Sequence, residues 1–521
     1  MNTRDGISKK QSKDGTLLSL DIGTGTVRAV LFDLRGTIVG KTSEARHYLP
    51  DPYGEPFQEV FDDAALWSTI CSLIAGLLES TDTRSESVLA VSVTGQRLSF
   101  LFLDKAGDVL YAGPNMDARG LHTQAEIEER LGEERIHPLT GQWPTMLSAL
   151  ARLLWFRHEA PEVFARIRKV LMLNDWVQYR LTGEMASEPT SASVSLFLDL
   201  STRQWSNEVL SAFDFNRDLL PPLVSAGDVA GRVHAAASAD TGLAEGTPVV
   251  VSGGDTQCAL AWAGLDKPDQ FGIVAGTTAL VCRTVDSPLV DPGRCTWTSC
   301  HLGANRWMVE ANGQWAGTVY QWLGDLFGGY LEEEIPRAEI YARMEDRAAR
   351  VSPGSDDTYA FLGPVIMDAE NLHHLRPGMF LFPPPAHPMV ESPATAGRLV
   401  RSTLENIAFA ICANYEQLLP LKPAEPDRVF ITGGLCASRL FCRIVADCLG
   451  LPLHVGRVLE GSALGAAVCA AAGAGVFRSL GDAQQGLCGV REVFEPDGET
   501  RSVYAESYER WLELYNKILD L

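Results

Sequence analysis

The stretch LLSLDIGTGTVRAVLFDLRGTIVG, residues 17–40, decides the fold. An apolar run ends on Asp21, a Gly/Thr turn follows, a second apolar run spans Val27–Phe32, and a turn at Asp33–Gly36 leads into a third. Apolar runs of this length bounded by turn residues are strands, and the spacing predicts an antiparallel meander. A dinucleotide-binding unit would place a helix directly after the first glycine turn, and a P-loop would carry G-x-x-x-x-G-K-[ST] there. This turn does neither.

Working outward, the same strand–turn grammar recurs at VLAVSVTGQRLSFLFLDKAGDVLYAG (88–113), turning at Asp104–Gly107, and we expect a second antiparallel meander there. A shorter copy, FGIVAGTTALVCRTV (271–285), again runs a strand into a Gly/Thr turn and out into a strand. Two such turns, one near the start of each half, suit the phosphates of one nucleotide. Helical spacing covers Asp62–Ser80, Met146–His158 and Ala160–Leu181, and later Arg398–Leu419 and Ala437–Leu449. A strand at Arg428–Thr432 runs into Gly433-Gly434 ahead of the last of these. The Pro/Gly-rich segment 221–248 reads as the approach to a domain boundary. The Ala/Gly-built run Gly461–Phe477 suits a closely packed internal helix better than a membrane span. The class is α/β with mixed sheets.

At 521 residues the chain exceeds a single core, so two or more domains are expected. A formal charge of -22 argues against nucleic acid as a partner but leaves phosphate binding by backbone N–H groups and a metal ion open. Residues 1–15 are polar, lack the apolar core of a signal peptide and read as a disordered tail. Eleven scattered cysteines, with Cys436, Cys442 and Cys448 six apart, read as reduced thiols of a cytoplasmic protein rather than a zinc site or disulfide framework. His373-His374 read as a solvated loop. Trp262, Trp315 and Trp322 read as core, with Trp315 also able to approach a ligand.

Three places carry chemistry. In the turns Asp21–Thr26 and Gly276–Thr278, glycine admits a close phosphate and threonine adds a hydroxyl donor, while Asp21 suits a hydrated Mg²⁺. Taken singly, each turn reads as a plain hairpin; the two together point to a nucleotide site. In VVVSGGDTQCALAWAG (249–264), Asp255 stands where a strand meets a helix, as a catalytic carboxylate or as the helix N-cap. In ITGGLCASRLFCRIVADCLG (431–450) the double glycine offers a flat backbone on which an adenine or ribose can lie.

Together and in order, these segments resemble the FGGY family of carbohydrate kinases, over about residues 17–480. The resemblance rests on DIGTGTVRAVLFD, NMDARG (115–120), NDWVQYRLTGE (174–184), GGDTQ (253–257), AGTTAL (275–280), ITGGLCASRLFCRIVAD (431–447) and EGSALGAAVCAAAGAG (460–475). It implies two ribonuclease H-like, actin-like ATPase domains with a ligand cleft between them: a sugar-binding domain over 16–255 and a nucleotide-binding domain over 256–521. It further implies ATP with Mg²⁺, a small sugar or polyol substrate, no nucleic-acid or membrane partner, and a possible homodimer. Carried over by motif, Gly23, Thr24, Gly25 and Thr26 form the first phosphate turn, and Gly276, Thr277 and Thr278 the second. Gly433, Gly434 and Ser438 fall on the adenosine motif, with Glu460 closing that pocket. Asp255 corresponds to the general base, Asp21 and Asp255 to the metal site, and Gln96, Arg97, Asp117, Arg119 and Asp255 to the substrate contacts.

The substrate segment departs from two family patterns. Thr94-Gly95-Gln96-Arg97-Leu98-Ser99 lacks the acid of glycerol kinases and the Met-His of xylulose kinases, and Asn115 replaces the usual Trp. A pentulose-sized substrate is the broad reading. The Asn-x-Asp-Ala-Arg form, residues 189–205 and GGDTQ are similar to the autoinducer-2 kinases, which act on a five-carbon polyhydroxy diketone. The rival class is a nucleotide-binding sugar sensor of the same fold without turnover, and the presence of both Asp21 and Asp255 argues against it.

Overall fold

The hairpin at residues 16–33 forms in the computed structural model, which describes residues 15–51, 57–143, 145–263, 267–328, 335–369, 377–384, 395–422 and 426–519. The tail ahead of residue 15 and the pair His373-His374 lie outside the described residues. The chain divides into two compact units. The first comprises Met1–Pro268, Thr284–Met308 and Glu460–Gly489, and the second Asp269–Arg283, Val309–Leu459 and Val490–Leu521.

In the first unit, β1 (Thr16–Ile22), β2 (Thr26–Asp33) and β3 (Ile38–Ala45) are the expected meander. β4 (Val88–Gly95), β5 (Val229–Arg232) and β6 (Pro248–Val251) complete one sheet in the order β5-β6-β4-β1-β2-β3. β4 runs parallel to β1, and β6 parallel to β4. This corrects the second meander. Only Phe100–Leu103 and Val109–Gly113 pair antiparallel, and they leave the main sheet for a three-stranded one with Lys169–Met172. That third strand also corrects the helix expected over 160–181. The apolar run Val170–Met172 pairs with Phe100–Phe102, so the helix starts only at Leu173 and ends at Thr182. Sheet pairing overrides a weak helical period where an open edge is available.

The second unit repeats this topology. β7 (Phe271–Ala275), β8 (Thr278–Val285), β9 (Trp307–Trp315), β10 (Val429–Thr432), β11 (Leu453–Gly456) and β12 (Val490–Phe494) lie in the order β12-β11-β10-β7-β8-β9. β7 is antiparallel to β8 and parallel to β10, as β1 is to β2 and β4. The helix Ala396–Leu418 is buried along most of its length. The helix Gly317–Gly328 buries Tyr320, Leu323 and Gly324, which leaves Trp322 on the opposite face at 49 % exposed and corrects its assignment to the core. Trp262 is buried, and Trp315 is half exposed.

The helix Gly461–Gly473 belongs to the first unit and packs against β1, β4 and the short helix Asp255–Ala259. Its small residues permit that approach: a Cβ on Gly465 would lie 2.0 Å from Cys258 O. Among the described residues no helix is long and apolar enough to cross a membrane.

Candidate active site

Parallel pairing of β1, β4 and β6 sets Asp21 beside Thr94 and Val251 beside Val93, so the segments that leave these strands emerge at one end of the sheet. Ligands of open α/β sheets sit beyond the carboxyl ends of such strands. The structure gathers Asp21, Gln96, Arg97 and Asp255 there. Asp255 opens its helix as the first residue, and Gly254 occupies the N-cap position. Asp255 Oδ1 accepts from the N–H of Thr256 at 2.7 Å, while its side chain is 31 % exposed. Arg97 Nε lies 3.9 Å from Asp255 Oδ1.

Both glycines before Asp255 are required by crowding. A Cβ on Gly253 would stand 2.4 Å from Thr190 Oγ1, and one on Gly254 would stand 2.9 Å from Arg97 Cγ. On the other side of the site, Asp21 pairs with Arg28 at 3.2 Å, the residue opposite it across the hairpin. Burial pushes the Asp21 carboxyl up to about 6; Arg28 pulls it down, while the negative charges of Asp255 and Glu460 push it up further. Asp255 and Glu460 therefore lie within electrostatic reach of Asp21. Among the described residues no group of three or more His, Cys, Asp or Glu is arranged to enclose a metal by itself. Mg²⁺ keeps most of its waters and takes only one or two protein carboxylates, so it fits such a site.

The turn Asp21–Thr26 is braced from outside. The N–H of Gly23 donates to Thr26 O at 3.0 Å, and the N–H of Arg46 to Gly25 O at 3.1 Å. Arg46 Nη1 reaches Gly23 O at 3.3 Å, and the Tyr48 hydroxyl donates to Thr24 O. Asn115 Nδ2 donates to Thr24 Oγ1 at 2.9 Å. With that lone pair occupied, the Thr24 hydroxyl has its own proton to give. A Cβ on Gly25 would meet nothing within 4 Å, so this face of the turn is open.

The segments around Gln96 and Asp117 hold a different arrangement. The N–H of Gln96 donates to Ile22 O at 2.9 Å, its side chain is buried, and Leu98 adopts φ +61°, a strained left-handed conformation for leucine. Asp117 and Arg119 are both fully buried and paired at 2.5 Å, with Asp51 and Tyr111 completing the network. The Arg119 guanidinium also lies over the rings of Tyr111, Trp155 and Phe156. Asn115 Oδ1, Arg119 Nη1 and Gln257 Oε1 are each buried without a partner among the described residues.

In the second unit the turn Gly276–Thr278 and the double glycine are neighbours, because β7 and β10 pair up to Val274 and Thr432. Gly433 has φ +111°, and a Cβ there would lie 2.4 Å from Ala275 O, so only glycine brings the two strands this close. A Cβ on Gly276 or Gly434 would meet nothing within 4 Å, which leaves both turns open to a ligand. Ser438 caps the helix Arg439–Leu449 by accepting from the N–H of Phe441 at 3.0 Å, and it donates to Glu345 at 3.1 Å. In the first unit, Glu460 forms an ion pair with Lys41 at 2.5 Å.

Sequence reading missed Arg28, Arg46, Tyr48, Arg152, Glu188 and Thr190. Only Arg28 left a local signal: counting outward from the Gly23–Gly25 turn places it opposite Asp21.

In each unit, then, a glycine turn open on one face follows the first strand of the central sheet. Residues 16–261 match the N-terminal domain of the FGGY family of carbohydrate kinases and residues 272–474 its C-terminal domain. The chain belongs to that family. It is similar to the autoinducer-2 kinase of Salmonella choleraesuis (strain SC-B67), 31 % identical over 508 residues that cover 96 % of this chain and 94 % of that one. The autoinducer-2 kinase of Escherichia coli (strain K12) is 30 % identical over 517 residues, 97 % of this chain and 95 % of that one. Among solved structures, the xylulose kinase from Rhodospirillum rubrum superimposes with a TM-score of 0.80 at 25 % identity, covering 97 % of this chain and 99 % of that one. The fold is the actin-like ATPase fold, and the protein is an ATP-dependent carbohydrate kinase.

Proposed function

We propose that this kinase phosphorylates a hydroxyl of a five-carbon polyhydroxy carbonyl compound of pentulose size, with Asp255 as the general base. The observation that carries this reading is the partly exposed Asp255 carboxylate on the segment beyond β6, beside Arg97 and within electrostatic reach of Asp21. In the transfer, the substrate oxygen attacks the γ-phosphorus, Asp255 takes the hydroxyl proton, and the bond to the β–γ bridging oxygen breaks to release ADP. Arg97 donates to substrate oxygens, and Asn115 and Gln257 offer acceptors for its hydroxyls. In the first unit the turn Gly23–Thr26, with the Thr24 hydroxyl, is a phosphate contact; in the second unit the turn Gly276–Thr278 is a phosphate contact, and the Gly433–Gly434 surface and Ser438 receive the adenosine. Asp21 and Asp255 would hold Mg²⁺ through its waters, and the ion supplies charge neutralisation on the phosphates.

A second substrate reading is the autoinducer-2 signal itself, favoured by the full-length similarity to curated autoinducer-2 kinases. The test is ATP turnover against D-xylulose, the five-carbon polyhydroxy diketone, tetritols and glycerol, with the phosphorylated product identified by mass spectrometry. Turnover with a five-carbon compound well above that with glycerol is expected. Preference for glycerol would overturn the substrate reading.

A further inference from the structure

Beneath the Gly253-Gly254 turn lies a fully buried chain of polar groups that the reaction does not use. The N–H of Gly254 donates to Thr190 Oγ1 at 2.9 Å. The Thr190 hydroxyl donates in turn to Glu188 Oε2 at 2.5 Å, and the N–H of Thr190 donates to the same oxygen at 2.7 Å. Glu188 and Thr190 are both buried, and each begins or enters the short helix Pro189–Ala192 that fixes their spacing. A second bond holds the turn from the other side: Thr94 Oγ1 donates to Gly253 O at 2.8 Å. The turn is therefore gripped by its N–H and its C=O, with Thr190 Oγ1 so close to Gly253 that no side chain fits.

A carboxylate in a dry environment is expensive unless its oxygens accept several donors. Burial pushes Glu188 up to about 7 against the donors from Thr190 and the positive charge of Arg203, which pull it down. An apolar residue would fill this space without that penalty. The polar chain instead gives the hydroxyl of Thr190 a fixed direction, since its proton is committed to Glu188 and its lone pair faces Gly254.

We propose that Thr190, oriented by Glu188, is a positioning residue for Asp255: it sets the turn from which the carboxylate projects, so turnover depends on its hydroxyl while ligand affinity does not. This rests on Asp255 as the base. Displacement of a base by about 1 Å lowers turnover by up to about 10²-fold.

The test compares Thr190→Val, Thr190→Ser and Asp255→Asn in the full-length chain. Turnover is measured with D-xylulose and with the polyhydroxy diketone, ATP hydrolysis to water is followed alongside, and ADP binding is measured by calorimetry. Thr190→Val is expected to lower kcat about 10- to 100-fold with KM and ADP affinity within about threefold of wild type. Thr190→Ser, which restores the hydroxyl, is expected to recover kcat to within about threefold. If Thr190→Val does not fold, Thr190→Ala gives the same reading through a smaller side chain. Unchanged kcat in Thr190→Val, or a kcat in Thr190→Ser as low as in Thr190→Val, overturns the proposal, as does a change confined to KM. An active Asp255→Asn overturns the base reading instead. Where wild type phosphorylates neither compound, the substrate reading fails and the same kcat comparison is made on ATP hydrolysis.

Discussion

Arg152 ties the Arg97–Leu98 turn to the Gly113–Asn115 segment, and replacing it by methionine tests that tie. The side chain is fully buried in the helix Ala149–Glu159. Its Nη2 donates to Leu98 O at 3.0 Å and Pro114 O at 2.8 Å; its Nη1 donates to Gly113 O at 3.2 Å and to the Tyr111 hydroxyl at 3.1 Å. Leu98 follows Arg97 and Pro114 precedes Asn115, so one guanidinium holds both segments by their carbonyls. The acceptors are unequal. Gly113 O keeps a bond from Ser99 Oγ at 2.9 Å, and Pro114 O keeps one from the N–H of Asp117 at 3.2 Å. Leu98 O loses the donor that holds its strained conformation. Abandoning that carbonyl is worth about 1–3 kcal/mol, and each charged hydrogen bond about 1.5–3 kcal/mol before the relief of burying no charge is credited. The net expectation for Arg152→Met is about 3 kcal/mol. At roughly 2 °C per kcal/mol, the low end of the range because the unit is large, melting falls by about 6 °C. Loosening of the Arg97–Leu98 turn raises KM for the sugar about tenfold while ADP affinity holds. Differential scanning fluorimetry, steady-state kinetics and ADP calorimetry read these effects. A melting temperature within about 1 °C of wild type together with an unchanged KM would refute the reasoning.

Asp255→Asn should fold, bind ADP and lose about 10²–10⁴-fold in kcat, measured by coupled ADP release. Asn115→Ala frees Thr24 Oγ1 from its donor, so KM for ATP should rise a fewfold in the same assay without loss of folding. Asp175 is fully buried and pushed up to about 8 by burial, so it stays protonated in the fold. Its raised folded value means the native state binds an extra proton between about pH 4 and pH 8, and the stability this confers is lost as pH rises through about 8. Asp175→Asn should therefore gain thermal stability over wild type as pH goes from 5 to 8.5; an advantage that shrinks over that range refutes the assignment. Gly465→Val should be insoluble or strongly destabilised on a solubility and melting screen, because its Cβ would enter the Cys258 backbone.

The hairpins at residues 16–33 and 271–285 were legible because strand and turn signals are local and repeat. The parallel partner β4 was not, since pairing with β1 joins residues about seventy positions apart and leaves no period in either strand. The same distance hid the supporting side chains. Arg152 bonds carbonyls 38 to 54 residues away, and Thr190 reaches Gly254 across 64. Asp255 was placed at its strand–helix junction by pattern, and the N-cap position there belongs to Gly254. Buried Asp117 and Arg119 show the converse: a motif names the residues without showing which of their faces other side chains occupy.

The return of Gly461–Gly473 to the first unit has a consequence for synthesis. The last strand of the first sheet is complete at Val251, but the helix that covers β1 and β4 begins at Gly461. At about 5–20 residues per second, the ribosome needs roughly 10–40 s to make the intervening chain. During that interval an apolar sheet face waits without its cover, so the nascent protein is a natural client for holding chaperones, and fragments ending before residue 461 should aggregate rather than fold.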